Sequence, residues 1–232
     1  MECTAFVKDK CNKDKDDQVT VDSIAITALD AKKYHAIFYV GGHGTMWDFK
    51  DDTFLKRAGE TVWGTGGVVA AVCHGPAGLL ELKDSNGDYI IKDKNVTGFT
   101  NAEEEAVQLT KVVPYSLEDE MKARGAKFGG ADKWASNAVR DGNLVTGQNP
   151  ASGGATARLV VWAINERFYG QKKECGAAKE AVAVKVLMIL TKHNKLGDTG
   201  KQTGWYVPEL AHPYYVYVSL APLLCVCVCA CA

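Results

Sequence analysis

The apolar run Val68-Val69-Ala70-Ala71-Val72 ends abruptly in Cys73-His74-Gly75-Pro76. A run of that length reads as a strand buried on both faces, the kind found in parallel sheets covered by helices. The Gly-Pro step opens the next element, because proline is tolerated in a first helical turn. Cys73 therefore falls on a tight strand-to-helix turn that lifts its side chain above the sheet, the cysteine counterpart of a nucleophile elbow. A helix N-terminus so close predicts a lowered thiol pKa. The competing reading is a buried, inert cysteine. The adjacent His74 and the flanking glycines, Gly67 and Gly75, favour the nucleophile.

Strand and helix signals alternate around this elbow. A strand at 35–40 ends in Gly41-Gly42-His43-Gly44, and a helix follows at 54–64. Residues 95–99 read as a strand feeding Glu103-Glu104-Glu105, and acidic residues suit a first helical turn. Residues 116–124 read as an amphipathic helix capped by Ser116. Asp141-Gly142 marks a hairpin turn, after which 144–147 leads into a helix at 151–168. A polar linker covers 169–179; then 184–191 reads as a strong buried strand, with a glycine-rich loop and a helix opening at Pro208-Glu209 behind it. This order predicts an α/β fold, a flavodoxin-like doubly wound parallel sheet sandwiched by helices. Ligands in such sheets bind beyond the carboxyl ends of the strands, where His43, Cys73, Glu104 and Glu209 all belong.

The 232 residues leave room for one sizeable domain, here 1–217. A formal net charge of −1 gives no reason to expect a nucleic-acid partner. The polar stretch 1–30 reads as surface helix, with the mixed-charge run 8–17 as a solvated loop. Of the eight cysteines, Cys3, Cys11, Cys73 and Cys175 are scattered, without metal-ligand spacing and without a secretory signal ahead of them. That pattern points to a reducing, cytoplasmic setting. Cys225, Cys227, Cys229 and Cys231 instead alternate with Val and Ala, as a translated dinucleotide repeat would, so 218–232 is set apart as a low-complexity tail. The uncharged stretch 214–232 approaches the length of a membrane span. Pro213, Pro222, three tyrosines and the lack of a basic flank argue against an anchor.

Four motifs occur together and in order: Gly41-Gly42-His43-Gly44-Thr45-Met46-Trp47-Asp48, Ala71-Val72-Cys73-His74-Gly75-Pro76, Thr97-Gly98-Phe99-Thr100-Asn101-Ala102-Glu103-Glu104, and Val145-Thr146-Gly147-Gln148-Asn149-Pro150-Ala151-Ser152. They resemble the ThiJ/PfpI superfamily, and within it the heat-shock-protein-like, glutathione-independent glyoxalase (glyoxalase III) branch. The resemblance spans roughly residues 20–168. The family's opening strand should precede these motifs. Instead, 185–217 resembles that N-terminal segment displaced to the C-terminus, so the chain reads as a circular permutant or as a slice through a tandem repeat. The family's second strand is not recognisable at either end; it is absent, or replaced by the tail.

The resemblance implies roles. Cys73 is the nucleophile, His74 its neighbour, and Glu104 the acidic partner that orients the histidine. Glu209 matches the carboxylate that sits against the sulfur and shuttles protons, and a partly dry pocket would hold its proton near neutrality. Gly42 and the backbone N–H of His74 form the oxyanion hole. His43 is a substrate-binding candidate or a solvated loop histidine, and Trp47, Trp205 and Tyr206 imply a pocket for small substrates. No metal and no cofactor are expected; His193 and His212 make no convincing metal set with His43. The partners implied are a small aldehyde or dicarbonyl substrate and a possible homodimer, with no nucleic acid and no membrane.

The chemistry implied is conversion of methylglyoxal to lactate, a lyase of the D-lactate dehydratase type. Three other readings stand beside it. One is a stress-response chaperone or redox sensor whose Cys73 oxidises without turnover. Another is a cysteine peptidase or amidase using the same triad, and the last is a fragment without function.

Overall fold

The computed structural model describes residues 24–25, 29–169, 184–220 and 225–230. The segment 1–23, with Cys3, Cys11 and the charge run, lies outside the described residues, as do Cys175 and nearly all of the 169–179 linker.

In chain order the strands are β1 (Ile24–Ala25), β2 (Ala36–Tyr39), β3 (Val68–Val72), β4 (Asn95–Val96), β5 (Lys127–Phe128), β6 (Ala138–Asp141), β7 (Leu144–Gly147), β8 (Lys185–Leu190) and β9 (Cys225–Ala230). The helices are α1 (Thr45–Asp48), α2 (Thr53–Gly64), α3 (Asn101–Ala106), α4 (Leu117–Ala123), α5 (Gly153–Ile164) and α6 (Val207–Leu220). Seven strands form one sheet in the order β1-β9-β8-β2-β3-β7-β6. All its pairings are parallel except the β6–β7 hairpin, which turns at Asp141-Gly142 with Gly142 at φ +64°. The sheet is therefore mixed at one edge rather than wholly parallel. The strand expected at 95–99 is shorter than its pattern: only Asn95–Val96 pairs, with Lys127–Phe128, in a separate two-stranded sheet.

The apolar runs have their physical cause in this arrangement. Successive strand residues point to opposite faces, and every residue of β2 and β3 is fully buried, so both faces of the central sheet are covered. Val186, Leu187, Met188 and Ile189 of β8 are also completely buried, each contributing about 1.5–3 kcal/mol by leaving water. The far-downstream strand is thus bound firmly into the centre. Its register aligns it with the elbow: Tyr39 pairs with Ala71 on one side and with Ile189 on the other. The carboxyl ends of β2, β3 and β8 consequently open onto one edge.

Cys225–Ala230, within the stretch read as a low-complexity tail that could replace an absent strand, forms β9 and pairs along the whole of β8, from Lys185↔Cys225 to Leu190↔Ala230. A strand alternating Val with small residues fits a pleated sheet, and the free edge of β8 supplies its partner. The element after the elbow is a single 3-10 turn, Gly75–Leu79, and not an α-helix with a developed dipole. Among the described residues no helix is long and apolar enough to cross a membrane.

Candidate active site

Cys73 directly follows β3 and holds φ +58°, the left-handed region that non-glycine residues seldom occupy. The elbow survives because its neighbours are small. A Cβ on Gly75 would lie 2.2 Å from the Tyr39 carbonyl oxygen, and one on Gly41 would lie 2.5 Å from the Val72 carbonyl oxygen. The Thr45 hydroxyl sits between the carbonyls of Gly42 (3.0 Å) and His74 (2.9 Å), tying the loop after β2 to the turn after β3.

From Cys73 a chain of contacts runs inward. Its sulfur lies 3.3 Å from His74 Nδ1, and His74 Nε2 lies 2.7 Å from Glu104 Oε2. Glu104 stands in the first turn of α3, which is fixed by a capping box between Thr100 and Glu103. Its other oxygen, Oε1, is 3.0 Å from His43 Nε2, so one carboxylate serves two imidazoles. Burial opposes its charge, but the hydrogen bonds from His43 and His74 prevail and hold its pKa at about 2. Burial of His74 and the nearby His43 outweigh Glu104 and depress the imidazole to about 4. At neutral pH the imidazole is therefore neutral beside a carboxylate. That carboxylate accepts only, so the ring proton belongs on Nε2, and Nδ1 is left as an acceptor facing the thiol.

Glu209, in the first turn of α6, is completely buried. Its Oε2 packs against Gly41, where a Cβ would meet it at 2.1 Å. The Cys73 thiol and the Gly41 N–H face the carboxyl and ease its charged form, yet neither closes a well-formed hydrogen bond on it. Burial prevails and raises the carboxyl pKa to about 8. The thiol is pushed well above its usual range by burial first and by Glu209 second. The lowered thiol pKa expected from a helix end is thus overturned: the 3-10 turn is too short, and desolvation dominates. The backbone N–H groups of His74 and Gly42, the two expected oxyanion donors, point at the sulfur and favour the thiolate.

Above this centre opens a cleft of about 1070 Å³, lined among others by Gly42, His43, Cys73, Trp205, Tyr206 and Glu209. Trp47 is not part of its lining. The indole stacks flat on His193 (5.1 Å, 8° between planes), and it is His193 that lines the cleft, so Trp47 acts from behind.

Three residues escaped the sequence reading. Glu103, read only as an acidic residue suited to a first helical turn, is completely buried and accepts from Thr100, Asn149 and the backbone N–H of Trp134. Phe99 and Trp134 form one wall of the cleft. Phe99 lay inside a recognised motif; for Trp134 the sole signal was a lone indole in a polar, glycine-containing stretch. His43, His74 and Glu104 offer donor atoms within 4.8 Å of one another, the one group among the described residues close enough to hold a metal ion. Their hydrogen bonds already engage them with each other.

Residues 3–162 match the DJ-1/PfpI family. The chain is 37% identical over 142 residues to a probable glutathione-independent glyoxalase of Schizosaccharomyces pombe, covering 59% of this chain and 64% of that protein. It is 37% identical over 153 residues to the glutathione-independent glyoxalase HSP31 of Saccharomyces cerevisiae, covering 63% and 65%. Among solved structures, glyoxalase III from Candida albicans superposes with TM-score 0.58 at 35% identity, covering 60% of each chain. A Francisella tularensis Rapid Encystment Protein superposes with TM-score 0.60 at 42% identity, covering 62% and 64%. The chain spans less than two thirds of the length of these relatives.

Proposed function

Since the chain belongs to the DJ-1/PfpI family, we propose that it is a glutathione-independent glyoxalase that hydrates and isomerises methylglyoxal to lactate. The observation that carries this reading is the buried Glu209 carboxyl facing the Cys73 sulfur, with His74 held against the same sulfur by Glu104.

His74 Nδ1 takes the thiol proton, and the sulfur adds to the aldehyde carbon. The resulting alkoxide forms beside the Gly42 and His74 N–H groups and takes up a proton to give a hemithioacetal. Glu209 removes the remaining hydrogen of that carbon as a proton and returns one to the neighbouring carbonyl carbon through an enediol, leaving a thioester of lactate. Water then cleaves the thioester, which releases lactate and restores the thiol. No external oxidant or reductant enters, because one carbon is oxidised as its neighbour is reduced. In reaction class this is a hydro-lyase of the D-lactate dehydratase type. A carboxyl with pKa about 8 is suited to both halves of the transfer near neutral pH, since each protonation state is accessible.

We further read the chain as a permuted family domain in which β8, α6 and β9 take the places of the family's opening elements. A homodimer in a reducing, cytoplasmic setting completes the reading. Redox sensing is less well supported, because Cys73 is only 3% exposed and its thiolate is disfavoured. The test is lactate formation from methylglyoxal by purified protein without glutathione. Lactate should appear with the native chain and be lost in Cys73→Ala; full activity in that variant, or no lactate from the native chain, overturns the proposal.

A further inference from the structure

A three-carbon aldehyde needs little room, yet the cleft over Cys73 measures about 1070 Å³, at the upper end of the range usual for drug-sized ligands (roughly 300–1,000 Å³). One wall is an unbroken series of rings leading outward from the catalytic histidine. His74 lies 4.3 Å from Phe99 between centroids, tilted by 33°, and Phe99 lies 5.8 Å from Trp134, tilted by 58°. Phe99 is buried, whereas Trp134 is 48% exposed at the mouth.

Trp134 stands there at a cost. Its φ of +68° is in the left-handed region, disfavoured for a bulky residue, and such outliers persist only where the surroundings impose them. The restraint is Glu103: its Oε1 accepts the backbone N–H of Trp134 at 2.9 Å and the Asn149 side-chain amide at 2.9 Å, while its Oε2 accepts the Thr100 N–H and hydroxyl at 3.1 and 2.9 Å. A completely buried carboxylate thus holds the strained backbone of Trp134, the residue whose half-exposed indole stands at the mouth. The next residue in the same helical turn, Glu104, aligns the catalytic histidine. One turn of α3 sets both the reacting groups and the wall beside them.

We propose that the Phe99–Trp134 wall is a subsite for the substituent on the substrate's ketone carbon, and that the preferred substrates are aryl-substituted 2-oxoaldehydes. When the sulfur bonds to the aldehyde carbon beside His74, a flat ring on the next carbon lies along Phe99 and reaches the indole face; a methyl group reaches neither. Offset or tilted packing against aromatic rings is the interaction such a wall provides. The inference rests on the glyoxalase reading for the reacting end of the substrate, and concerns only what binds at the other end.

The experiment compares phenylglyoxal with methylglyoxal in the native protein, Trp134→Ala and Trp134→Phe. Phenylglyoxal should be the better substrate, and Trp134→Ala should lower its kcat/KM about tenfold, mainly through KM, as expected for one aromatic contact. The loss on methylglyoxal should be several-fold smaller than that on phenylglyoxal, roughly in proportion to the ring contact it lacks, and Trp134→Phe should restore most of the phenylglyoxal loss. Equal losses on both substrates, or none on either, overturn the proposal. Binding separates this outcome from failure of the glyoxalase reading. In the inactive Cys73→Ala background, calorimetry should show mandelate binding more tightly than lactate, with the preference abolished by Trp134→Ala. No preference for mandelate there refutes the subsite whatever the reaction proves to be.

Discussion

The Glu209 carboxyl faces the Cys73 sulfur in a dry pocket, and the two groups cannot both carry charge. Burial disfavours ionising either, and Glu209 pushes the thiol higher still. The first proton lost from the pair therefore comes from the carboxyl, at about 8, and the charge it leaves on Glu209 holds the thiol proton to still higher pH.

That coupling shapes the pH dependence of catalysis. kcat/KM for methylglyoxal should rise as pH approaches about 8, where the pair loses its first proton. Glu209→Gln should cost about 10²–10⁴-fold in kcat and remove that limb of the profile. An unaltered profile in the variant would contradict the assignment of that limb to Glu209.

The same carboxyl makes stability pH-dependent. It titrates near 4.5 when unfolded and at about 8 in the folded chain. Between those values unfolding releases a proton, so the folded state loses stability as pH rises. The contribution is complete below pH 4.5 and gone once pH has passed about 8. Thermal melts of the native chain should therefore fall in Tm across that window, and Glu209→Gln should flatten the slope.

Glu104 aligns two imidazoles, and its amide replacement should be more damaging than loss of either outer contact. Glu104→Gln can present its NH₂ group to His74 Nε2 and so favour the wrong tautomer. By analogy with triads whose orienting acid is made neutral, kcat should fall by about 10³–10⁴-fold. His43→Ala leaves the 2.7 Å His74–Glu104 bond intact and should cost far less. Steady-state kinetics of the two variants side by side decide the point.

Backbone crowding at the elbow predicts a contrast between glycines. Gly75→Ala would place a methyl 2.2 Å from the Tyr39 carbonyl oxygen, inside the sheet, and should cost about 3 kcal/mol or more. Gly64, at the end of α2, has open space within 4 Å of where a methyl group would stand; Gly64→Ala should stabilise by about 0.4–1 kcal/mol. Urea denaturation of both variants measures the difference, and equal midpoints would refute the crowding.

The central strands were legible because burial on both faces leaves no polar positions to disguise them: Val68–Val72 and Lys185–Leu190 read as strands from composition alone. The hairpin was legible because Asp141-Gly142 meets a local backbone demand. β4 was overread, since the apolar spacing at 95–99 reflects packing of Phe99 against His74 as well as strand pairing. β9 stays one of two alternatives in the sequence, because alternating Cys and Val looks like a repeat until the open edge of β8 is there to pair with it.

The sequence by itself determined the elbow: an apolar strand, Cys73, His74 and two glycines are local requirements, met by neighbours along the chain. It also singled out Glu104 and Glu209 through motif resemblance. Only the tertiary structure decided their chemistry. The thiol is raised rather than lowered, one carboxylate of Glu104 serves both His43 and His74, and the Trp134 backbone is pinned at the mouth by Glu103. Each of these depends on desolvation and on partners brought in from distant elements, and such quantities exist only once β8 and α6 are packed against the strand that carries Cys73.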